Sequence, residues 1–132
     1  MIIFSVGTIL IGGSCNKQDG YQAPNNPGPP RKIQFRLYTD NDFTGNSDKI
    51  TFTLTIQTSA NKVLWDSVLS PMKISEIPDT AHKLVIDKLV PNNDNSLLKV
   101  GFLYSIENVG NSWFYDSSKA GETFKIVDFN FK

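Results

Sequence analysis

The stretch Lys49–Thr58, KITFTLTIQT, decides the reading of the fold. Ile50, Phe52, Leu54 and Ile56 fall on every second position, with Thr51, Thr53, Thr55 and Gln57 between them. Successive side chains of an extended chain point to opposite faces. The alternation therefore predicts a strand with one apolar, core-facing surface and one threonine-lined surface toward water. Threonine suits the outer surface, because its branched Cβ packs well on a pleated sheet.

The same period runs through the rest of residues 32–132. Upstream, KIQFRLY (32–38) sets Ile33, Phe35 and Leu37 against Lys32, Gln34 and Arg36. Downstream, TSAN turns the chain into KVLWDSVL (62–69), so residues 49–69 read as a hairpin with Val63 and Trp65 directed inward. Pro71 and Pro78 bracket MKISEI, which reads as an edge strand or irregular segment because proline cannot donate to a ladder. HKLVIDKLV (82–90) offers Leu84, Ile86 and Leu89 to the core, and PNNDN (91–95) is a loop by composition. LLKVGFLYSIEN (97–108) places Leu98, Val100, Phe102, Tyr104 and Ile106 on one face, and VGNS turns it back into WFYD. In ETFKIVDFNFK (122–132), Phe124 and Ile126 share one face while Val127, Phe129 and Phe131 share the other; a β-bulge near Ile126 would reconcile the two halves.

About seven short strands with no stretch of helical period predict an all-β domain. The expected form is a single antiparallel two-sheet β-sandwich, immunoglobulin-like or transthyretin-like, without the inter-sheet cysteine pair of antibody domains. One cysteine in 132 residues makes no internal disulfide, so the core alone must hold the domain.

The first 31 residues are of another kind. Residues 1–16 carry no ionisable side chain except Cys15, and the first charge is Lys17. MIIFSVGTIL followed by IGGSC is too short to span a bilayer, which needs roughly 20 apolar residues, but fits the hydrophobic region of a secretory signal. Residues 15–31 hold four of the seven prolines and read as an extended tether at roughly 3 Å per residue. The expected organisation is a signal peptide over 1–14, a tether over 15–31 and the β-sandwich over 32–132.

The hydrophobic run ending in the small residues Gly12, Gly13 and Ser14, followed directly by Cys15, resembles a bacterial lipoprotein signal. Gly12 stands where such signals usually carry leucine, and MIIFSV has no lysine or arginine. The resemblance implies that the leader is cut before Cys15 and that this residue carries the lipid; two or three acyl chains give stable anchoring where one does not. Read from the residues alone, a plain cleaved signal with an unmodified Cys15, or a buried N-terminal strand, stays open. With its polar, Asn-rich, aromatic-rich remainder, the chain is similar to the small outer-membrane lipoproteins of the Bacteroidota. That similarity implies a cell-envelope location, periplasmic or surface-facing, with membrane attachment through Cys15.

Lysine plus arginine and aspartate plus glutamate both number 13, so the net charge is zero and nucleic acid is not an expected partner. Three features invite a chemical reading. Asp40, Asp42 and Asp48, with Gly45 at the sixth position of the same loop, resemble the start of a calcium loop, although Thr51 occupies the twelfth position. The ordinary alternative is a polar turn. Trp113, Phe114 and Tyr115 follow a Gly-Asn turn. Trp113 and Tyr115 outward with Phe114 inward would offer rings for stacking on a glycan, and the reverse arrangement would fill the core. His82, the one histidine, has no companions for a metal site or an acid–base pair in the sequence. No enzymatic activity and no cofactor are expected. The expected role is binding or structural: docking to another envelope protein, or glycan binding through exposed aromatics.

Overall fold

The computed structural model describes residues 29–132; the leader, Cys15 and the tether up to residue 28 lie outside the described residues. Among the described residues, eight strands form two sheets. They are β1 (Lys32–Tyr38), β2 (Lys49–Thr58), β3 (Val63–Val68), β4 (Met72–Lys73), β5 (Leu84–Leu89), β6 (Leu98–Ile106), β7 (Gly110–Ser118) and β8 (Phe124–Asn130). One sheet has the order β5-β1-β8; the other has the order β3-β2-β6-β7, with β4 paired to the start of β2. The two-residue β4 is the strand beyond the seven expected. It leads into a 3-10 turn over Ile74–Glu76, where the Glu76 carboxylate accepts the Lys73 N–H at 2.8 Å.

The two sheets face each other across one apolar layer, as a β-sandwich requires. Ile33, Phe35, Leu37, Val127 and Phe129 from the smaller sheet meet Phe52, Leu54, Val100 and Phe102 from the larger one, all buried. The rings interlock across the gap. Phe35 meets Phe102 edge-on at 5.7 Å between centroids, and Phe114 stacks on Phe129 at 4.7 Å. Each such side chain contributes about 1.5–3 kcal/mol by leaving water.

The ladders are antiparallel with one exception, and the expectations of a bulge in β8 and of inward-facing Val63 and Leu89 are corrected; Val63 is 49% exposed. β1 pairs antiparallel with β5 but parallel with β8, joining segments at opposite ends of the domain. β8 has no bulge: its register with β1 runs unbroken from Lys32/Phe124 to Tyr38/Asn130. Alternation is kept because Phe124 and Ile126 stand on the outer face, and the inward position between them and the core is taken by Lys125, which pairs with Asp116 at 2.9 Å. Leu89 points outward and is 59% exposed, because period two in β5 turns Leu84, Ile86 and Lys88 inward; Val90, just past the strand, is buried instead. Lys88 uses its inward place at the rim to lie over the Trp65 ring, 5.2 Å from its centroid.

Arg31, read as the last tether residue, belongs to the body. It is 1% exposed, and its five N–H donors all find acceptors. They reach the carbonyls of Asp94, Ser96, Lys119 and Glu122 and the hydroxyl of Ser118. Burial pulls the guanidinium below its usual pKa while the carboxylates of Asp94 and Glu122 pull the other way.

Candidate functional site

The outer face of the larger sheet carries the site. The β2-β6-β7 register aligns side chains in rows across three strands: Thr53, Leu103 and Trp113 in one, and Thr51, Ser105 and Asn111 in the next. Strands lie about 4.8 Å apart and same-face residues almost 7 Å apart along a strand. The two rows therefore make a patch on the order of 10 Å by 7 Å. A groove of 380 Å³ lies over it, walled on one side by the Trp113 indole, which is 64% exposed.

Why Trp113 faces out is decided by its neighbour. Phe114 has its place in the core against Phe129, and period two then sends Trp113 and Tyr115 to the outer face. Their surroundings differ. Tyr115 is half-buried, sits directly across from Gly101, and has the Lys99 ammonium 4.6 Å from its ring centroid. Gly101 is required there by close approach: a Cβ would come within 2.0 Å of the Phe114 carbonyl oxygen. In the same row Thr55, expected to face water, is fully buried, and Gln57 beside it donates to its hydroxyl at 3.1 Å. The outer face is thus covered at its Tyr115 end and open at its Trp113 end.

The carboxylates of the 40–48 loop are not brought together. Asp40 accepts from the Lys132 ammonium and the Asn130 amide, each at 2.9 Å, and these bonds hold its pKa below the usual carboxylate range. Asp42 accepts from the Thr44 hydroxyl (2.6 Å) and N–H (3.0 Å), which lowers its pKa likewise. The Asp48 N–H donates to the Asn46 side chain at 3.0 Å. A cavity of 340 Å³ beside the loop is lined by Asp42 but not by Asp40 or Asp48. Among the described residues no three His, Cys, Asp or Glu side chains are grouped as metal ligands. The loop's polar residues are engaged in local turns and with the C-terminal residues.

His82 lies in an exposed turn with Nδ1 2.7 Å from Asp79 Oδ1, and that contact lowers the Asp79 pKa. Cys15 lies outside the described residues. The sequence reading missed the hydroxyl row of Thr51 and Ser105 as a lining. The available signal was that the threonines of β2 and the residues flanking the Gly-Asn turn share a face, and pairing β2 to β6 was needed to see it. The chain matches no protein-family model, no curated protein and no solved structure.

Proposed function

We propose that this chain is a non-catalytic binding protein of the cell envelope, anchored to the outer membrane by acyl chains on Cys15 and presenting the groove at Trp113 to a glycan. The observation that carries the binding half is the exposed indole lining a groove beside a row of hydroxyl and amide groups. A large apolar ring held in water beside a groove marks a binding surface. A sugar ring has an apolar C–H face and a rim of hydroxyls. The face stacks on the indole, and the rim exchanges hydrogen bonds with Thr51, Ser105 and Asn111. Hydroxyls and a carboxamide do not titrate near neutrality, so the reading assigns this groove no acid–base chemistry.

Affinity electrophoresis of the full chain through gels containing different polysaccharides tests the binding half; free migration in every gel would refute it. The anchor half rests on the lipoprotein-like leader. Its test is partition in a cloud-point detergent extraction: the parent enters the detergent phase and Cys15→Ala stays in water. Equal partition of the two would refute it.

A second reading, docking to another envelope protein, is supported by a different surface. Val85, Leu89 and Phe124 lie exposed on the outer face of the β5-β1-β8 sheet, interleaved with Lys32, Arg36, Asp87 and Asp128. A photo-crosslinking residue at position 89 would then give one protein adduct in intact cells, and the same residue at position 68, on the other sheet, would not.

A further inference from the structure

From the chemistry of the groove we infer that its ligand is an uncharged polysaccharide and that Trp113 is its one stacking ring. The inference rests on the glycan reading and narrows it. The lining carries no lysine, arginine, histidine, aspartate or glutamate among the described residues. The charges that border it do not add up to a field of one sign. At one end stand Lys49, its β4 neighbour Lys73, Glu76, whose carboxylate accepts from the Lys73 N–H, and Glu107, whose N–H donates to the Lys49 carbonyl at 2.9 Å, so the side-chain charges are two of each sign. At the other end Lys99 is four residues along β6 from Leu103, roughly 13 Å away at strand spacing. Its ammonium is engaged by the Tyr115 ring and the Asn61 side chain. A carboxylated or sulfated polymer needs cations facing it to offset the loss of water around its own charges, and this face does not supply them. Hydroxyl and amide groups, which both donate and accept, match a polymer whose polar groups are themselves hydroxyls.

Tyr115 takes no part in stacking on the ligand. Lys99 occupies a face of its ring, and its half-burial across from Gly101 ties it to the sheet. Tyr104, the other aromatic residue of the lining, packs its ring against Phe52, Phe129 and Phe131, whereas the indole of Trp113 is 64% exposed and is the ring left for a ligand.

The test is affinity electrophoresis of the full chain in nonionic detergent. The neutral probes are laminarin, galactomannan and xyloglucan; the anionic probes are polygalacturonate and heparin. Each is run at about 50 and 500 mM NaCl, which changes the screening length several-fold. The expected result is retardation by at least one neutral polymer, with affinity unchanged by salt. Trp113→Ala should weaken it at least about tenfold and Tyr115→Leu, which removes the second ring, should leave it within about twofold. Trp113→Ala should melt at the parent's temperature, since its side chain is mostly in water; Asn111→Ala gives a second lesion in the groove should it not. Retardation confined to the anionic probes, or lost at the higher salt, overturns the uncharged class while the glycan reading stands. Binding that survives Trp113→Ala overturns the assignment of the ring. No retardation by any probe, or self-association that Trp113→Ala abolishes, overturns both.

Discussion

Replacing Arg31 by methionine should unfold the domain far more easily than the loss of one surface cation would. The guanidinium makes five hydrogen bonds, to Glu122 (2.8 Å), Ser96 (2.8 Å), Lys119 (2.9 Å), Ser118 (2.9 Å) and Asp94. Hydrogen bonds from a charged donor are worth about 1.5–3 kcal/mol each, so a plain sum approaches the whole stability of a domain this size, about 5–15 kcal/mol. The sum overstates the loss. Arg31 regains its hydration in the unfolded parent, and water reaches some of the freed carbonyls in the variant. Breaking a buried, fully bonded charge costs about 3–5 kcal/mol in practice, and we take about 4. With a urea slope of about 1.5 kcal/mol/M, the midpoint of Arg31→Met falls by about 2–3 M and the melting temperature by about 20 °C. Arg31→Lys keeps the charge but carries three donors on one nitrogen, too few and too close together for five acceptors spread over two loops. It should lose roughly half as much. The acceptors are four carbonyls and a hydroxyl, none titratable near neutrality, so the difference between parent and variant should not change between about pH 6 and 9. Urea titrations on the Cys15→Ala background, followed by tryptophan fluorescence, measure all three. A midpoint for Arg31→Met within about 0.5 M of the parent would refute the reasoning, as would equal losses in the lysine and methionine variants.

Two further perturbations have definite signs. Gly101→Ala places a Cβ 2.0 Å from a backbone oxygen of β7, which only a shift of that strand relieves. It should cost at least about 3 kcal/mol and weaken ligand binding at Trp113 with it; a melting temperature near the parent's would show that β7 yields more readily than its pairing implies. Asp40 has a folded pKa below its ordinary value, chiefly through Lys132 and then Asn130. Its stabilising contribution is therefore present above the unfolded carboxylate pKa of about 3.9 and lost as pH falls through the lower folded value. Asp40→Asn should flatten that part of the acid limb, with parent and variant converging at the lowest pH; parallel curves would contradict it.

Much of the fold was legible because its signal is local. KITFTLTIQT and KIQFRLY occur as strands with the predicted core faces, and Leu98, Val100 and Phe102 lie in the core as their spacing implied. Trp113-Phe114-Tyr115 was legible only up to a choice of phase, since three aromatics in a row satisfy period two either way. Phe129, on the strand across the gap, makes the choice by stacking on Phe114. The phase shift in β8 misled for a related reason. Apolar residues on both faces look like a bulge when only the inner face is assumed to want them. The outer face of this sheet tolerates Phe124, with the Lys32 ammonium 5.5 Å from its ring centroid. The spacing of the 40–48 loop says nothing about Lys132 and Asn130, which lie about 90 residues away and hydrogen-bond Asp40.

The residue order by itself determined that the chain from residue 32 onward forms strands, that these must stack as two layers, and that residues 1–30 differ in composition from the rest. Those conclusions depend on side-chain alternation, proline content and charge within a few residues. The tertiary structure alone decided that β1 runs parallel to β8, that Arg31 is buried, and that Trp113 borders an uncharged groove. Each of these depends on partners from distant parts of the chain: β8 beside β1, the 94–96 and 118–122 loops around a guanidinium, Phe129 beneath Phe114. A polar or aromatic side chain is buried or exposed according to what is brought against it. That is a property of the packed sheets, and it is not carried by any local pattern.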